Sequence, residues 1–214
     1  MTLTQKLKDR ADSSATTKSA GDLDTLNNSV LVVEAAGIVN NALKVGDTAP
    51  DFELSDAAGA QVRLSELLKI GPVVIAFYRG AWCPYCNLEL KALQEMLPEF
   101  HAAGATLIAI SPQTPDKSLS TEEKHNLEFP VLSDGELAAI TGFGLLHPVD
   151  DRTRGFYEKS GYDLVKSNGK VGWQLPLPAT YVVGRDGTIA FAFVNADYKL
   201  RAEPADVLEA VKAL

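Results

Sequence analysis

The sequence predicts an α/β fold, a central mixed sheet with helices on both faces, and three observations predict it. Residues 73–78 and 106–110 are short, continuous apolar runs, the signature of strands buried on both sides. Each is followed by a stretch with helical spacing. Residues 180–183 and 189–195 flank Asp186-Gly187, a strong hairpin signal, and Pro204 then opens a last helix.

Taken in order, residues 1–21 are small and polar and are expected to be mobile until packed on something. From Leu23 the spacing turns helical through Leu26, Val30 and Val33 and extends to Leu43, with Gly37 as a weak point. That stripe must find a partner surface, either its own domain or a second copy in a homodimer. The pattern stops at residues 45–50, so residues 1–44 read as an N-terminal helical extension and 45–214 as one domain. Residues 51–54 and 61–64 alternate like short strands around Ala58-Gly59, and Ser65 is placed to cap a short helix to about Lys69. After the 73–78 strand, Leu88, Leu90, Leu93, Met96, Leu97 and Phe100 mark one long helix over 84–103, stopped by Gly104. A polar helix over 115–127, a short strand at 129–132 and a helix over 136–141 follow. Residues 143–175 lack a period and read as an insertion holding a strand or two. Val207, Leu208, Val211 and Leu214 form one face of the final helix. The order β-α-β-α, hairpin, helix is that of a thioredoxin-like fold.

Composition narrows the function. With 20 basic and 28 acidic residues the net charge is −8, which argues against a nucleic-acid or anionic-membrane partner. No apolar run approaches the roughly 20 residues needed to span a bilayer, and the start shows no apolar leader, so a soluble, cytoplasmic protein is expected. Cys83 and Cys86 are the only cysteines. A zinc site would need two further ligands, and His101, His125 and His147 are far apart with no paired spacing, so neither metal nor cofactor is expected. A lone CxxC in an α/β pattern points to thiol redox chemistry.

Trp82-Cys83-Pro84-Tyr85-Cys86 lies between a buried strand and a helix. Pro84 suits the first helical position, which puts Cys83 at the cap, where free N–H groups favour a thiolate. The magnitude matters: a thiol of pKa near 8.5 is only about 3% ionised at pH 7, one lowered to about 7 is half ionised. Cys86, one turn on, is within reach for a small disulfide ring. Arg79, four residues before Cys83, offers a cation. Glu89, one turn past Cys86, offers a proton acceptor, and Trp82 and Tyr85 offer a docking surface beside the dithiol.

Val45-Gly46-Asp47-Thr48-Ala49-Pro50-Asp51-Phe52 and Phe77-Tyr78-Arg79-Gly80-Ala81-Trp82-Cys83-Pro84-Tyr85-Cys86 resemble the peroxiredoxins of the alkyl hydroperoxide reductase and thiol-specific antioxidant group. Phe129-Pro130-Val131-Leu132-Ser133-Asp134 and Ala179-Thr180-Tyr181-Val182-Val183 fit the same family, so the resemblance covers residues 45–214. It implies reduction of hydroperoxides by a cysteine thiolate and recycling by a thioredoxin- or glutaredoxin-like dithiol. On the family pattern Pro-x-x-x-Thr-x-x-Cys, Arg79 replaces the Pro, Cys83 the Thr, and Cys86 takes the peroxidatic place. Pro178 stands where the family has an Arg, and where thioredoxins carry a cis proline beside the dithiol, so a cis peptide is expected there. Cap geometry therefore names Cys83 as the first nucleophile, whereas the resemblance names Cys86, so Cys86 is expected to attack hydroperoxides and Cys83 protein disulfides. Three functions remain: a thiol peroxidase, a thiol–disulfide oxidoreductase acting on protein disulfides, and a redox-sensing interaction module.

Overall fold

In the computed structural model, which describes residues 1–214, the polar N-terminus is helical from its third residue. Thr2 caps α1 (Leu3–Thr17) by accepting the Gln5 N–H at 3.2 Å. Leu3 and Leu7, one turn apart, are buried in the core. The Glu203 carboxylate, from the far end of the chain, accepts the Leu3 N–H at 3.1 Å. The segment expected to be mobile until packed is thus packed, two caps and two buried leucines holding it despite its polar composition. Ser19 then caps α2 (Ala20–Ala35), exchanging hydrogen bonds with the Asp22 N–H and carboxylate. The expected helix breaks at Gly37, whose φ of +67° starts the short α3 (Ile38–Asn41). Val33 reaches the core, Leu26 and Val30 pack at its margins, and Leu31 and Val32 are exposed.

β1 (Glu53–Asp56) and β2 (Gln61–Arg63) form an antiparallel pair leading into α4 (Leu64–Ile70). Ser65 lies inside that helix and is no cap: the Asp51 carboxylate takes its N–H and its hydroxyl, both at 2.9 Å. β3 (Val73–Phe77) is buried throughout. The long helix expected after it is two, α5 (Pro84–Glu95) and α6 (Leu97–Ala102), because Pro98 has no N–H to give and its ring would crowd the preceding turn. Next come β4 (Thr106–Ser111), α7 (Pro115–His125), β5 (Val131–Ser133) and α8 (Ala138–Gly142). The region without a period contains β6 (Leu146–Pro148), α9 (Asp151–Lys159), α10 (Leu164–Asn168), one 3-10 turn and β7 (Gln174–Pro176). A strand or two were expected there; the two helices were not. β8 (Ala179–Val183), β9 (Ile189–Val194) and α11 (Pro204–Lys212) complete the chain.

The main sheet runs β2-β1-β5-β4-β3-β8-β9, with β3, β4 and β5 parallel and the rest antiparallel. Alternation along β3 divides the core. Val74 and Ala76 face α1, α5, α6 and α11, while Val73, Ile75 and Phe77 face α4, α8 and the loops after α3. This is the thioredoxin-like arrangement. No peptide bond is cis, which corrects the expectation at Pro178. β7 pairs with β6, Leu177 donates to the Leu145 carbonyl at 2.8 Å, and Ala179 already pairs with Phe77, so the chain runs extended from one sheet into the next and a trans bond carries it through.

Candidate active site

The site forms where β3 ends. Tyr78, Arg79 and Gly80 leave the sheet, and the Cys83 N–H bonds the Gly80 carbonyl at 3.0 Å, closing a turn. Gly80 sits at φ +140°, and a Cβ there would meet the Trp82 indole at 2.5 Å, so a glycine lets the ring fold back. Gln113 accepts the Ala81 N–H at 2.8 Å and Asn87 donates to the Ala81 carbonyl at 2.9 Å, fixing the loop from both sides. Cys83 is then the N-cap residue of α5, with Pro84 at the first helical position, as the sequence implied.

Each sulfur has its own arginine. The Arg79 Nη1 is 3.9 Å from the Cys83 sulfur, and the Arg201 Nη2 is 3.4 Å from the Cys86 sulfur, which the Arg79 backbone N–H also approaches at 3.5 Å. Both cysteines are free thiols and both are buried. Burial opposes ionisation of Cys83, but the adjacent Cys86 thiol and the charges of Arg79 and Arg201 outweigh it and bring the thiol down to about 5. Cys86 moves the opposite way, pushed well above its ordinary value by burial and by the neighbouring Cys83 thiolate. The pair is therefore split into an ionised thiolate and a protonated thiol, the division a two-step thiol reaction needs.

Arg79 is caged by aromatic rings. Its guanidinium carbon lies 4.3 Å from the Tyr198 centroid and 4.8 Å from that of Trp82, and it donates to the Tyr157 hydroxyl. Tyr157 is presented by α9, capped by Asp150, which accepts the Thr153 N–H at 3.0 Å. Behind Cys86, Arg201 is locked to Glu89 by a buried ion pair of 2.7 Å, and Glu89 also accepts the Thr180 hydroxyl at 3.1 Å. Burial raises the Glu89 carboxyl, with Arg201 and Thr180 opposing.

A solvent-open cleft leads to Cys83, walled by Trp82, Tyr85, Phe156, Tyr157, Tyr162 and Tyr198 and edged by Arg10 and Lys18. Of the residues singled out in the sequence, Cys83, Cys86, Arg79, Trp82, Tyr85 and Glu89 are gathered here. Pro178 is not: it lines an adjoining cavity with Arg79 and His147. Burial and the Arg79 charge hold His147 down at about 4, so it is neutral at pH 7. No three His, Cys, Asp or Glu side chains converge as metal ligands, and no helix is long and apolar enough to cross a membrane. Sequence reasoning missed Arg201, Tyr157, Tyr198, Arg10 and Lys18. Nothing local marks them, because Arg201, Tyr157 and Tyr198 come to the site, and Arg10 and Lys18 to the edge of its cleft, only through tertiary packing.

A thioredoxin-like sheet that delivers an ionised cysteine at a helix cap, with a second thiol one turn behind, defines a thiol oxidoreductase. Comparison with known proteins makes this specific. The chain belongs to the AhpC/TSA family, whose model matches residues 45–192. It is similar to Peroxiredoxin Bcp of Escherichia coli K12, 35% identical over 105 residues that cover 49% of this chain and 67% of that protein. The crystal structure of Peroxidoxin BcpB from Mycobacterium tuberculosis aligns with a TM-score of 0.62 at 27% identity, covering 80% of this chain and 98% of the other. Peroxiredoxin Q of Xanthomonas campestris shares the fold, with a TM-score of 0.60 at 23% identity over 81% of this chain and 98% of its own.

Proposed function

We propose that the chain carries out the thiol-dependent peroxidase chemistry of its family with Cys83 as the attacking thiolate and Cys86 as the resolving thiol. The observation that carries this reading is the split of the pair: Cys83, beside Arg79 at the end of the cleft, is low, and Cys86, beneath it, is high. The Cys83 thiolate attacks the terminal oxygen of ROOH. The O–O bond breaks, Cys83 becomes the sulfenic acid, and the alkoxide leaves and takes up a proton to give ROH. Arg79 faces both the thiolate and the oxygen that gains charge, the role of a preorganised cation. Cys86 then attacks the Cys83 sulfur; its proton and the sulfenic hydroxyl leave as water, and the Cys83–Cys86 disulfide forms. A thiol reductant returns two electrons, and a thioredoxin- or glutaredoxin-like dithiol protein suits a disulfide at a helix start. In this reading residues 45–214 are the reacting domain and residues 1–44 a helical extension that roofs its cleft.

This assignment sets cap geometry above the family alignment, which put Cys86 at the peroxidatic place. It also ranks protein disulfides below hydroperoxides as substrates, in keeping with the peroxiredoxins to which the chain is similar. The test is direct: the reduced protein is given hydrogen peroxide, an organic hydroperoxide or insulin disulfides with one reductant, and single variants are trapped with a sulfenic-acid reagent. Cys86→Ser is expected to form sulfenic acid on Cys83, and Cys83→Ser to form none. Rapid sulfenic acid on Cys86 in Cys83→Ser would reverse the assignment, and turnover of insulin alone would replace the peroxidase reading.

A further inference from the structure

Breaking an O–O bond leaves a strongly basic oxygen, and a group beside Cys83 must give it a proton. Arg79, the cation facing the sulfur, cannot, because a guanidinium is not deprotonated in a protein. Glu89 is committed to Arg201 and Thr180 behind Cys86. His147 is neutral and lies in the adjoining cavity, outside the cleft of Cys83. The Cys86 thiol is reserved for the second step. Four tyrosines line the cleft, Tyr85, Tyr157, Tyr162 and Tyr198, and one of them meets Arg79 with its hydroxyl. Tyr198 offers the guanidinium its ring face instead. Tyr157 accepts a hydrogen bond from the Arg79 Nη2, while Nη1 of the same guanidinium faces the Cys83 sulfur at 3.9 Å.

That contact decides what the phenol can do. Its oxygen accepts from Arg79, its proton goes to no protein acceptor, and the side chain, 3% exposed, still lines the cleft. Sulfur and phenol thus sit on neighbouring nitrogens of one flat group, as the attacking atom and the departing oxygen do in an in-line displacement. Burial raises the phenol above its ordinary value against the opposing charge of Arg79, so it holds its proton at neutral pH. The ring is fixed by Trp82 at 5.2 Å and Tyr162 at 5.9 Å. We propose that Tyr157 is the general acid of the peroxide step and gives its phenolic proton to the leaving oxygen. The Cys83 thiolate bonds the near oxygen of ROOH, the O–O bond breaks, the far oxygen takes the Tyr157 proton and leaves as ROH, and Cys83 is left as the sulfenic acid. Both electrons come from sulfur. The phenolate, balanced by Arg79, regains its proton from water through the open cleft and releases hydroxide. The proposal rests on the peroxidase reading above and deepens it by naming the proton donor.

The test varies the leaving group. An alkyl hydroperoxide expels an alkoxide, far more basic than a phenolate, and needs the acid. Peracetic acid expels acetate, less basic than a phenolate by about six units, and does not. Rates of sulfenic acid formation on Cys83 are read by rapid quench and mass spectrometry in the full-length Cys86→Ser protein at pH 7. Adding Tyr157→Phe is expected to slow the alkyl hydroperoxide about 100-fold, the low end of general acid catalysis, and peracetic acid by less than about threefold. Alkylation of Cys83 by iodoacetamide needs the thiolate and no acid, so its midpoint should stay within about half a unit, which shows Arg79 still in place. Equal losses with both oxidants, or a raised midpoint that accounts for the loss, would make Tyr157 a support for Arg79 and overturn the proposal. An unchanged alkyl hydroperoxide rate overturns it too. A second measurement needs no substitution at Tyr157: the alkyl hydroperoxide should react more slowly in heavy water than in light water, as a proton in flight requires, and peracetic acid should not. The same isotope effect for both oxidants also overturns the proposal. Should no hydroperoxide oxidise Cys83 in the unmodified chain, the peroxidase reading fails and the proposal with it, whereas the other outcomes strike Tyr157 alone.

Discussion

Two arginines govern the dithiol, one for each sulfur, and their removal should separate the two thiols' roles. Because Cys83 is held at about 5, alkylation at that site by a small reagent should be half-maximal near pH 5 and flat above about pH 6.5, with Cys86 unmodified throughout; mass spectrometry of the pH series checks it. Removing the positive charge in Arg79→Gln disfavours the thiolate, so the midpoint should move up by at least about one unit. Peroxide kcat/KM should then fall about 100-fold, the size found on deleting one charge-stabilising group. The linkage sign follows from the same lowering. An unfolded thiol ionises near 8.5, so the Cys83 contribution to stability is complete above about pH 8.5, declines as pH falls and is gone below about pH 5. Behind them, Glu89→Gln strands the Arg201 charge in the interior, and thermal unfolding should report a loss of about 3–5 kcal/mol, largely recovered in Glu89→Leu/Arg201→Met. Cys83, Cys86, Arg79 and Glu89 were legible because they lie within a few residues on one strand–helix junction. Arg201 was not: it reaches Cys86 from 115 residues away, and a lone Arg between Leu200 and Ala202 carries no pattern.

Among the elements, those with strong local signals were read closely. β3, β4, β8 and β9 are apolar runs bounded by turns, and their positions agree with the sequence to within a residue or two. The failures share one cause, burial supplied by a few contacts from elsewhere. α1 buries Leu3, Leu7 and Ser14 with Ala11 at the core's margin, and α9 and α10 bury Thr153, Tyr157, Leu164 and Asn168. A period cannot show in so few residues. The Thr2 and Gln5 pair at the start of α1 was the signal available and unused, an N-cap with its partner three residues on. At the β3–α5 junction the loop depends on one backbone conformation. Gly80→Ala puts a Cβ into the Trp82 indole at a φ that L residues rarely adopt, and denaturant unfolding should show a loss of about 1–3 kcal/mol.

For the whole molecule, the N-terminal helices are part of the core as well as of the cleft. Deleting residues 1–43 removes Leu3, Leu7 and Val33, each worth about 1.5–3 kcal/mol when fully buried, and calorimetry should find the melting temperature lower by about 10 °C or more. Mild oxidation of the intact chain should take the free-thiol count from two to zero without a dimer on a non-reducing gel, since Cys83 and Cys86 have no other partner.

Trp82, next in sequence to Cys83, is one of only two tryptophans, and its ring lies against the Arg79 guanidinium at 4.8 Å and meets Tyr157 edge-on at 5.2 Å. Closing the disulfide removes the thiolate that balances Arg79, so the field across that indole changes with every turnover. The indole should thus serve as an optical gauge: its ultraviolet emission is expected to shift in intensity when the dithiol is oxidised, against the steadier background of Trp173, and a fluorescence trace during peroxide addition checks it.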